Sequence, residues 1–322
     1  MPAKRDHQML IEAARMYYLE GLDQGQVGRR LGLSRSSVSR ILASARESGI
    51  VQVRIAGDDH ISRNRDLEGQ LMRTFGLREA LVAETSASTT DVKCVAQLGA
   101  EVFARRAPSA NRIGFSWGFT LGHVVEAIPR LSLHPNILLT PLVGGMPLLD
   151  SGPSGYINTQ ILAEKCGVVS ERFDAPAVVE SAATQRAMLS ESSIRMAIAR
   201  AAASDLAFVG IGNFGVQTSR RVLEAMNFND QEMVEVVAAK PVGDVCGRFF
   251  TIDGVPLGPP ASERVIGITI DQLAGIDIVV GIAAGKTKAA GTLGALRTGA
   301  IGILVVDEGL AAAVLALHSR GV

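Results

Sequence analysis

The segment 116–120 (SWGFT) combines residue types that can bind an anion. Ser116 and Thr120 supply hydroxyl groups, and Gly118 lets the backbone approach a ligand closely. An apolar stretch precedes the segment and a helical pattern follows it, so the free N–H groups at the helix start would face the same ligand. A phosphate group suits such a place. Trp117, the only tryptophan, either packs in the core or covers a sugar ring.

The pair Gly144-Gly145 follows a second apolar stretch, at 137–141. If both apolar stretches are parallel strands, their carboxyl ends lie at one edge of the sheet, where ligands bind in doubly wound folds. The two glycines would leave room for a ligand there. The sequence therefore predicts a binding cleft at this edge, formed by residues 116–120 and the glycine pair.

Residues 24–42 (QGQVGRRLGLSRSSVSRIL) have the pattern of a helix-turn-helix motif. Val27 and Val38 would pack inward, and Gly32 permits the turn. Small hydroxyl side chains would let the second helix enter the major groove of DNA, where arginine reads guanine or contacts phosphate. A plain three-helix module for protein contacts is the alternative. The predicted DNA-binding residues are Arg29, Arg30, Arg35, Ser36, Ser37, Ser39 and Arg40.

Short helices must position these side chains. Periodic apolar residues predict helices at 7–20, 24–31 and 35–47, and an apolar run predicts a strand at 50–55. Asp23 and Ser34 are suitable N-caps for the second and third helices. We therefore expect an all-α DNA-binding domain over residues 1–56.

From residue 81 onward, short apolar stretches alternate with amphipathic ones. Strands are predicted at 112–115, 137–141, 205–211, 276–282 and 301–306, and helices at 67–75, 121–128, 184–201, 286–297 and 308–317. This alternation predicts a doubly wound, mainly parallel α/β fold with helices on both faces of the sheet. We expect this effector-binding domain over 67–322, after a polar linker over 57–66.

The charge of the chain is unevenly distributed. It has 32 basic and 32 acidic residues, so its formal net charge is zero. Residues 1–56 nevertheless hold nine basic and five acidic side chains, a difference of +4, and the remainder sums to −4. A basic N-terminal domain suits a contact with DNA.

The cysteines and histidines favour neither a disulfide framework nor a metal site. Cys94, Cys166 and Cys246 are isolated, and the five histidines are dispersed. No apolar run is long enough to predict a membrane span, and the N-terminus lacks the apolar core of a signal peptide. We expect a cytoplasmic protein without a metal or cofactor.

Several segments occur together in a characteristic order. They are LGLSRSSVSRILASARESGIVQV in the N-terminal part, then IGFSWGFTL (113–121), PLVGG (141–145), DAPA (174–177), GIGN (210–213), GDVCGRFF (243–250), ERVIGI (263–268) and AAGKTKAAGTLGALRTGAIGILVVDE (283–308). Their order and spacing resemble the SorC family of sugar-binding transcriptional regulators over nearly the whole chain. The resemblance implies a C-terminal domain that is similar in fold to sugar-phosphate isomerases and deaminases and that senses an effector.

The resemblance also implies roles for two more residues. Asp244 and Lys288 match family positions that contact the effector. A carboxylate can accept hydrogen bonds from sugar hydroxyls, and an ammonium can pair with phosphate. Val143 stands where some members carry a basic residue, which excludes a Schiff base there and argues against a second phosphate contact.

Two functions from different classes are compatible with these residues. The first is a regulator whose binding to operator DNA is controlled by a sugar or phosphorylated sugar, acting as a homodimer or homotetramer. The second is a sugar-phosphate isomerase or deaminase in which Asp244 and Lys288 serve as base and support. No motif supplies a second carboxylate or histidine for catalysis, so we favour the regulator and predict no catalytic residues. The GxGxxG pattern at 210–215 lacks the further signals of a dinucleotide site.

Overall fold

The computed structural model describes residues 4–48, 50–51, 61–85, 91–146 and 155–321. Contacts within the chain divide it into two compact units, Met1–His60 and Ile61–Val322. The division falls inside the predicted linker 57–66.

The first unit is a set of helices around a small apolar core. Helix α1 (Lys4–Ala14) continues into a π-helical turn, Arg15–Leu19, where the sequence predicted an uninterrupted α-helix. Helices α2 (Gln24–Leu31) and α3 (Arg35–Glu47) have the predicted bounds. The buried core residues are Ala13, Ala14, Val27, Val38, Leu42 and Ala45.

Side chains cap both helices of the motif. The carboxylate of Asp23 accepts the Gln26 N–H at 2.8 Å, and the Gln26 side chain accepts the Asp23 N–H at 2.8 Å. The Ser34 hydroxyl oxygen accepts the Ser37 N–H at 3.2 Å. Such caps stabilise a helix start by about 1 kcal/mol. Of the strand predicted at 50–55, all but the first two residues lie outside the described residues.

The second unit contains a parallel sheet. Its strands are β1 (Glu79–Ala83), β2 (Arg112–Phe115), β3 (Leu138–Pro141), β4 (Val169–Ser170), β5 (Leu206–Gly210), β8 (Ile278–Ile282) and β9 (Ile303–Asp307), and β6 (Pro241–Val245) and β7 (Arg248–Thr251) form a separate antiparallel hairpin. The order within the sheet is β1-β9-β8-β5-β2-β3-β4. Every neighbouring pair in it is parallel, which confirms the predicted fold class.

Helices lie between the strands along the chain. They are α4 (Arg65–Phe75), α5 (Asp91–Arg106), α6 (Phe119–Ala127), α7 (Gly155–Cys166), α8 (Ala182–Ser190), α9 (Ser192–Ala202), α10 (Gln217–Ala225), α11 (Asp230–Ala238), α12 (Ile270–Ala274), α13 (Ala289–Arg297) and α14 (Glu308–Ser319). The helix predicted at 184–201 is two helices, because Glu191 has an extended backbone. A 3-10 turn, Lys286–Lys288, precedes α13. None of the helices in the described ranges is long and apolar enough to cross a membrane.

Apolar side chains fill both faces of the sheet. On β1, Ala80 and Val82 belong to one core cluster and Leu81 and Ala83 to the other, because successive side chains of a strand point to opposite faces. The first cluster includes residues of α4, α13 and α14, and the second includes residues of α5, α6 and α7.

At the centre of the sheet, Phe115 of β2 lies opposite Phe208 of β5. The two rings stack at 4.9 Å between centroids with an angle of 8° between their planes. Both side chains are fully buried. An aromatic pair of this kind adds about 0.5–1.5 kcal/mol beyond the burial of its surface. It holds the two strands together just before the loops that follow them.

The chain reverses its direction across the sheet between β2 and β5. After β2 it continues to β3 and β4 on one side, and after β5 it continues to β8 and β9 on the other. Because the two connections leave in opposite directions, a crevice opens at the carboxyl ends of these two strands. The loops after Phe115 and Gly210 flank that crevice.

The start of the second unit is held by Glu68, a buried residue of α4. Its carboxylate accepts hydrogen bonds from Arg63 Nε at 2.6 Å and from the Val82 N–H at 3.0 Å. Residues 61–66 therefore belong to the second unit, which begins earlier than the predicted domain start at residue 67.

Candidate functional site

A cavity opens at the carboxyl ends of β2, β5 and β8, where the chain reverses its direction across the sheet. It is a cleft with about 580 Å³ of empty space, a figure that includes the solvent at its open mouth. Its wall consists of Trp117–Leu121, Gly210–Asn213, Val216–Ser219, Asp244, Cys246, Thr287 and Lys288. The loops after three parallel strands and the β6–β7 hairpin thus surround one space.

Three helix starts in this wall have no capping side chain. Helix α6 begins after Gly118, α10 begins after Val216, and the 3-10 turn before α13 begins after Gly285. Among the helices outside this wall, α8, α11, α12 and α14 each begin with a side chain that caps them, whereas α9 does not. Uncapped N–H groups and the positive ends of helix dipoles attract anions. Their convergence makes this cavity suitable for a phosphate group.

Asp244 of β6 is a buried carboxylate in the wall, only 5% exposed. Its Oδ2 accepts the Gly247 N–H at 3.3 Å, and its Oδ1 has no hydrogen-bond partner among the described residues. Burial raises the pKa of Asp244, while the Ser219 hydroxyl, the Gly247 N–H and the Lys288 ammonium lower it. An unpaired buried acceptor costs about 1–3 kcal/mol, so a ligand hydroxyl that donates to Oδ1 would be bound favourably.

Lys288 provides a positive charge in the same wall. Burial lowers the pKa of Lys288, and the carboxylates of Asp244 and Asp307 raise it. The ammonium charge of Lys288 therefore interacts with two carboxylates. An anionic ligand would complete this arrangement of charges.

Gly212 makes room for the carboxylate of Asp244. A Cβ at position 212 would lie 1.9 Å from Asp244 Oδ1 and 3.3 Å from the Ser219 Cβ. The Ser219 hydroxyl is also buried and forms no hydrogen bond of standard geometry within the described part of the chain, but it is close enough to the Asp244 carboxylate to lower its pKa. Two polar groups thus adjoin one glycine in the cavity wall, and both can bind a polar ligand.

Cys246 lies in the turn of the hairpin that carries Asp244. Burial raises the pKa of its thiol to about 12, and the nearby Asp244 carboxylate contributes to this rise. The thiol is therefore neutral at physiological pH. It forms a small uncharged part of the wall.

Five of the eight predicted effector-binding residues line this cavity, and three do not. The five are Trp117, Gly118, Thr120, Asp244 and Lys288. Trp117 is 5% exposed and its indole N–H donates to the Gly144 carbonyl oxygen at 3.1 Å. The tryptophan is therefore packed and hydrogen-bonded as part of the wall.

The other three residues have structural roles. The hydroxyl oxygen of Ser116 accepts the Gly210 N–H at 3.3 Å and joins the ends of β2 and β5. A Cβ at Gly144 would lie 2.5 Å from the carbonyl oxygens of Ala175 and Pro176. The space beside Gly144 that the sequence assigned to a ligand is thus occupied by another segment of the chain. Gly145 pairs with the same segment.

The sequence reasoning missed a second side of the cavity. Asn213, the start of α10 at 216–219, and Thr287 line it without having been predicted. The glycine-rich segment after β5 was the available signal. It entered the sequence analysis as a landmark of the SorC resemblance and as an incomplete dinucleotide pattern, without a binding residue being predicted in it, although the carboxyl end of any strand beside the crevice contributes to the site.

The chain shows no metal centre within the described residues, since no group of three or more histidine, cysteine, aspartate or glutamate side chains is arranged to hold an ion there.

In the first unit, one face of α3 is exposed. Val38, Leu42 and Ala45 are buried against the other helices. Six of the seven predicted DNA-binding residues are exposed, and they are Arg29, Arg30, Arg35, Ser36, Ser39 and Arg40. The outward face thus offers guanidinium groups between small hydroxyl side chains.

Three of the predicted DNA-binding side chains have partners within the unit, and one of them is Ser36, whose hydroxyl lies 3.0 Å from that of Ser34. Arg30 forms an ion pair with Glu20 at 2.9 Å. Ser37 is half-buried, and its hydroxyl lies 2.9 Å from that of Ser34 at the start of α3. Ser37 therefore belongs to the helix start more than to the outward face.

A helix-turn-helix unit and an α/β domain with a ligand cavity are together the arrangement of a ligand-responsive transcriptional regulator. The chain matches the Sugar-bind model, a sugar-binding domain, over residues 59–316, and the model of Sigma-70 region 4 over residues 12–48. The chain therefore belongs to the Sugar-bind family and is a transcriptional regulator of the SorC type.

Similar proteins match over nearly their whole length. The chain is 29% identical to the sorbitol operon regulator of Klebsiella pneumoniae, over 94% of this chain and 96% of that protein. It is 30% identical to the transcriptional regulator LsrR of Enterobacter sp. (strain 638), over 98% and 95%. The crystal structure of full-length SorC from Klebsiella pneumoniae matches with a TM-score of 0.70 and 28% identity, over 97% of this chain and 100% of that chain.

Proposed function

We propose that this chain regulates genes of carbohydrate metabolism, and that a phosphorylated sugar in the cavity of the second unit controls its binding to operator DNA. The observation that carries this proposal is the composition of the cavity. Three uncapped helix starts and the Lys288 ammonium share one space with the unpaired carboxylate oxygen of Asp244.

The phosphate end of the effector would lie against the helix starts. Backbone N–H groups near Gly118, Val216 and Thr287 can donate to its oxygens, and Lys288 can neutralise part of its charge. Thr120, at the second position of α6, adds a hydroxyl group to this side.

The sugar end would contact the hairpin side of the cavity. Asp244 Oδ1 and Ser219 Oγ are buried, and neither forms a hydrogen bond of standard geometry within the described residues. A hydroxyl that donates to the carboxylate would satisfy it, whereas a ligand without hydroxyls would leave it buried and unpaired. The hairpin side therefore favours a polyhydroxylated molecule.

The first unit would bind DNA through α3. Arg35 and Arg40 are exposed on this helix and suit base edges or phosphates in the major groove. Arg29 on α2 would contact a flanking phosphate. We propose that the protein acts in the cytoplasm as a homodimer or homotetramer, since two copies would match the two half-sites of a palindromic operator.

The proposal includes binding of the effector without turnover. The sorbitol operon regulator and LsrR are named as regulators, which supports a sensing role for the shared domain. Conversion of a sugar phosphate by the purified chain, lost in Asp244→Asn, would instead establish an enzyme.

A thermal-unfolding screen with matched pairs tests the effector class. The pairs are ribose with ribose 5-phosphate, glucose with glucose 6-phosphate, and sorbitol with sorbitol 6-phosphate. We expect stabilisation by at least one phosphorylated member and not by its free sugar, by about 2.7 kcal/mol at 100 times Kd. The same compound should change the affinity of the protein for DNA from the region upstream of its own gene. Equal effects of free and phosphorylated sugars would contradict the assignment of a phosphate to the helix starts.

A further inference from the structure

Asp307 connects two segments through a single carboxylate. It is the last residue of β9 and is only 2% exposed. Its Oδ2 accepts the Gly285 N–H at 2.6 Å, and its Oδ1 accepts the Leu310 N–H at 2.9 Å. The second bond caps α14, and the first holds the loop that leaves β8.

The loop held by Asp307 forms one side of the cavity. It runs from Gly285 through the 3-10 turn to Lys288, and Thr287 and Lys288 are in the cavity wall. Gly285 has a φ of 95° and no side chain with which to cap the turn. Asp307, from the neighbouring strand, fixes the first residue of this loop.

Asp307 is outside the set of described residues that line the cavity. It influences the cavity through Gly285, to which it is hydrogen-bonded, and through Lys288, whose pKa it raises. The charged groups that face the Lys288 ammonium are Asp244, in the wall, and Asp307, behind the loop. A carboxylate in this position can set both the place and the charge of Lys288.

We infer that Asp307 is a positioning residue for effector binding, because its carboxylate holds the loop 285–288 in the conformation that presents Lys288 and the helix start to an anion. The inference depends on the proposed function, since the anion is the phosphate group of the effector. Asp307 itself does not contact the ligand.

The substitution Asp307→Asn in the full-length protein tests this role. Asparagine has the same size and keeps one oxygen, which suffices to cap α14. It replaces the other acceptor with an amide donor and removes the negative charge near Lys288. One of the two backbone bonds is therefore lost together with the negative charge.

Asp205→Asn is the matched control. The carboxylate of Asp205 also accepts two backbone N–H groups, those of Asn111 at 2.8 Å and Arg112 at 3.2 Å. These bonds lie at the amino end of β2, at the opposite edge of the sheet. Both variants therefore remove one acceptor from a carboxylate with two backbone partners.

The measurement is the affinity for inorganic phosphate as a function of pH, on the alkaline side of the second pKa of phosphate. We expect Asp307→Asn to weaken binding by about tenfold, because Lys288 is no longer held in place for its charge-assisted contact with the anion. The loss of affinity at high pH should begin at a lower pH than in the wild type, because Lys288 loses a carboxylate that raises its pKa. Asp205→Asn should change neither property.

Wild-type affinity and an unshifted pH profile in Asp307→Asn would overturn the inference. An equal loss in Asp205→Asn would also overturn it, because the effect would then follow from general destabilisation. If Asp307→Asn does not fold, Asp307→Ser, which keeps a capping hydroxyl too short to reach Gly285, is measured in the same way. A wild-type protein that does not bind phosphate would refute the proposed function itself, and this inference with it.

Discussion

The indole N–H of Trp117 donates a hydrogen bond to the carbonyl oxygen of Gly144 at 3.1 Å. This bond joins the segment after β2 to the segment after β3. Both residues were predicted to contact the effector, but only Trp117 lines the cavity. Of the two bonded residues, Trp117 thus belongs to the cavity wall and Gly144 supports it.

The two neighbouring glycines should respond differently to alanine. In Gly144→Ala the new methyl group would meet two carbonyl oxygens at 2.5 Å, whereas in Gly145→Ala the nearest atom is 4.0 Å away. We expect Gly144→Ala to lower the free energy of unfolding by about 1–3 kcal/mol and Gly145→Ala to have little effect. Chemical denaturation of both variants measures this. Equal stabilities would contradict the packing role of Gly144.

Removal of the Lys288 charge should weaken binding of the phosphate group. We expect Lys288→Met to reduce the affinity for inorganic phosphate about 10-fold to about 100-fold, because a charged hydrogen bond is worth about 1.5–3 kcal/mol. Lys286→Met is the control, since Lys286 is exposed and absent from the cavity wall as described. Calorimetric titration compares them. The same loss in both variants would show that general positive charge, and not the cavity, attracts the anion.

The double substitution Arg35→Ala, Arg40→Ala should impair DNA binding while the second unit stays folded. Both side chains are exposed on α3. We expect lower affinity for the operator and a salt dependence whose slope falls by about 1 for each lost phosphate contact. Arg220→Ala, an exposed arginine of the second unit, is the control. Operator binding measured at several salt concentrations decides the matter, and unchanged affinity of the double variant would count against α3 as the DNA-contacting helix.

The start of the second unit should depend on Glu68. This buried carboxylate accepts from Arg63 at 2.6 Å and Arg65 at 3.0 Å, with 7% of its side chain exposed. We expect Glu68→Gln to destabilise the unit by about 3 kcal/mol, since it leaves Arg63 largely buried without its charge partner. Glu224→Gln in the exposed Arg220–Glu224 pair should change stability by less than about 0.5 kcal/mol. Thermal unfolding and amide hydrogen exchange over residues 61–66 test this difference. Similar losses of stability and similar exchange rates in both variants would refute it.

Local patterns predicted much of the fold. The bounds of α2, α3 and β2 agree with the prediction, because apolar periodicity and capping residues are local signals. The short hairpin strands β6 and β7 were not predicted. Neither was the break at Glu191, whose neighbours continue a helical pattern on both sides.

Part of the site was predicted because local patterns also mark the ends of strands and the starts of helices. Gly118 and Thr120 follow a recognisable strand and begin a helix, so their place could be read from the sequence. A glycine after a strand also stands at position 144, but there it accommodates another segment of the chain. A close contact between chain segments and a contact with a ligand both require the absence of a side chain. Sequence alone does not distinguish the two cases.

By itself, the sequence determined the two kinds of domain, the basic surface of the first and the positions at which strands end. The tertiary structure decided which of those ends meet. Asp244, Lys288 and Asp307 are far apart in sequence, and only the order of the strands and the hairpin between them bring their charges together. Local patterns report the burial of a segment, whereas the distance between two distant segments depends on the packing of all the elements between them.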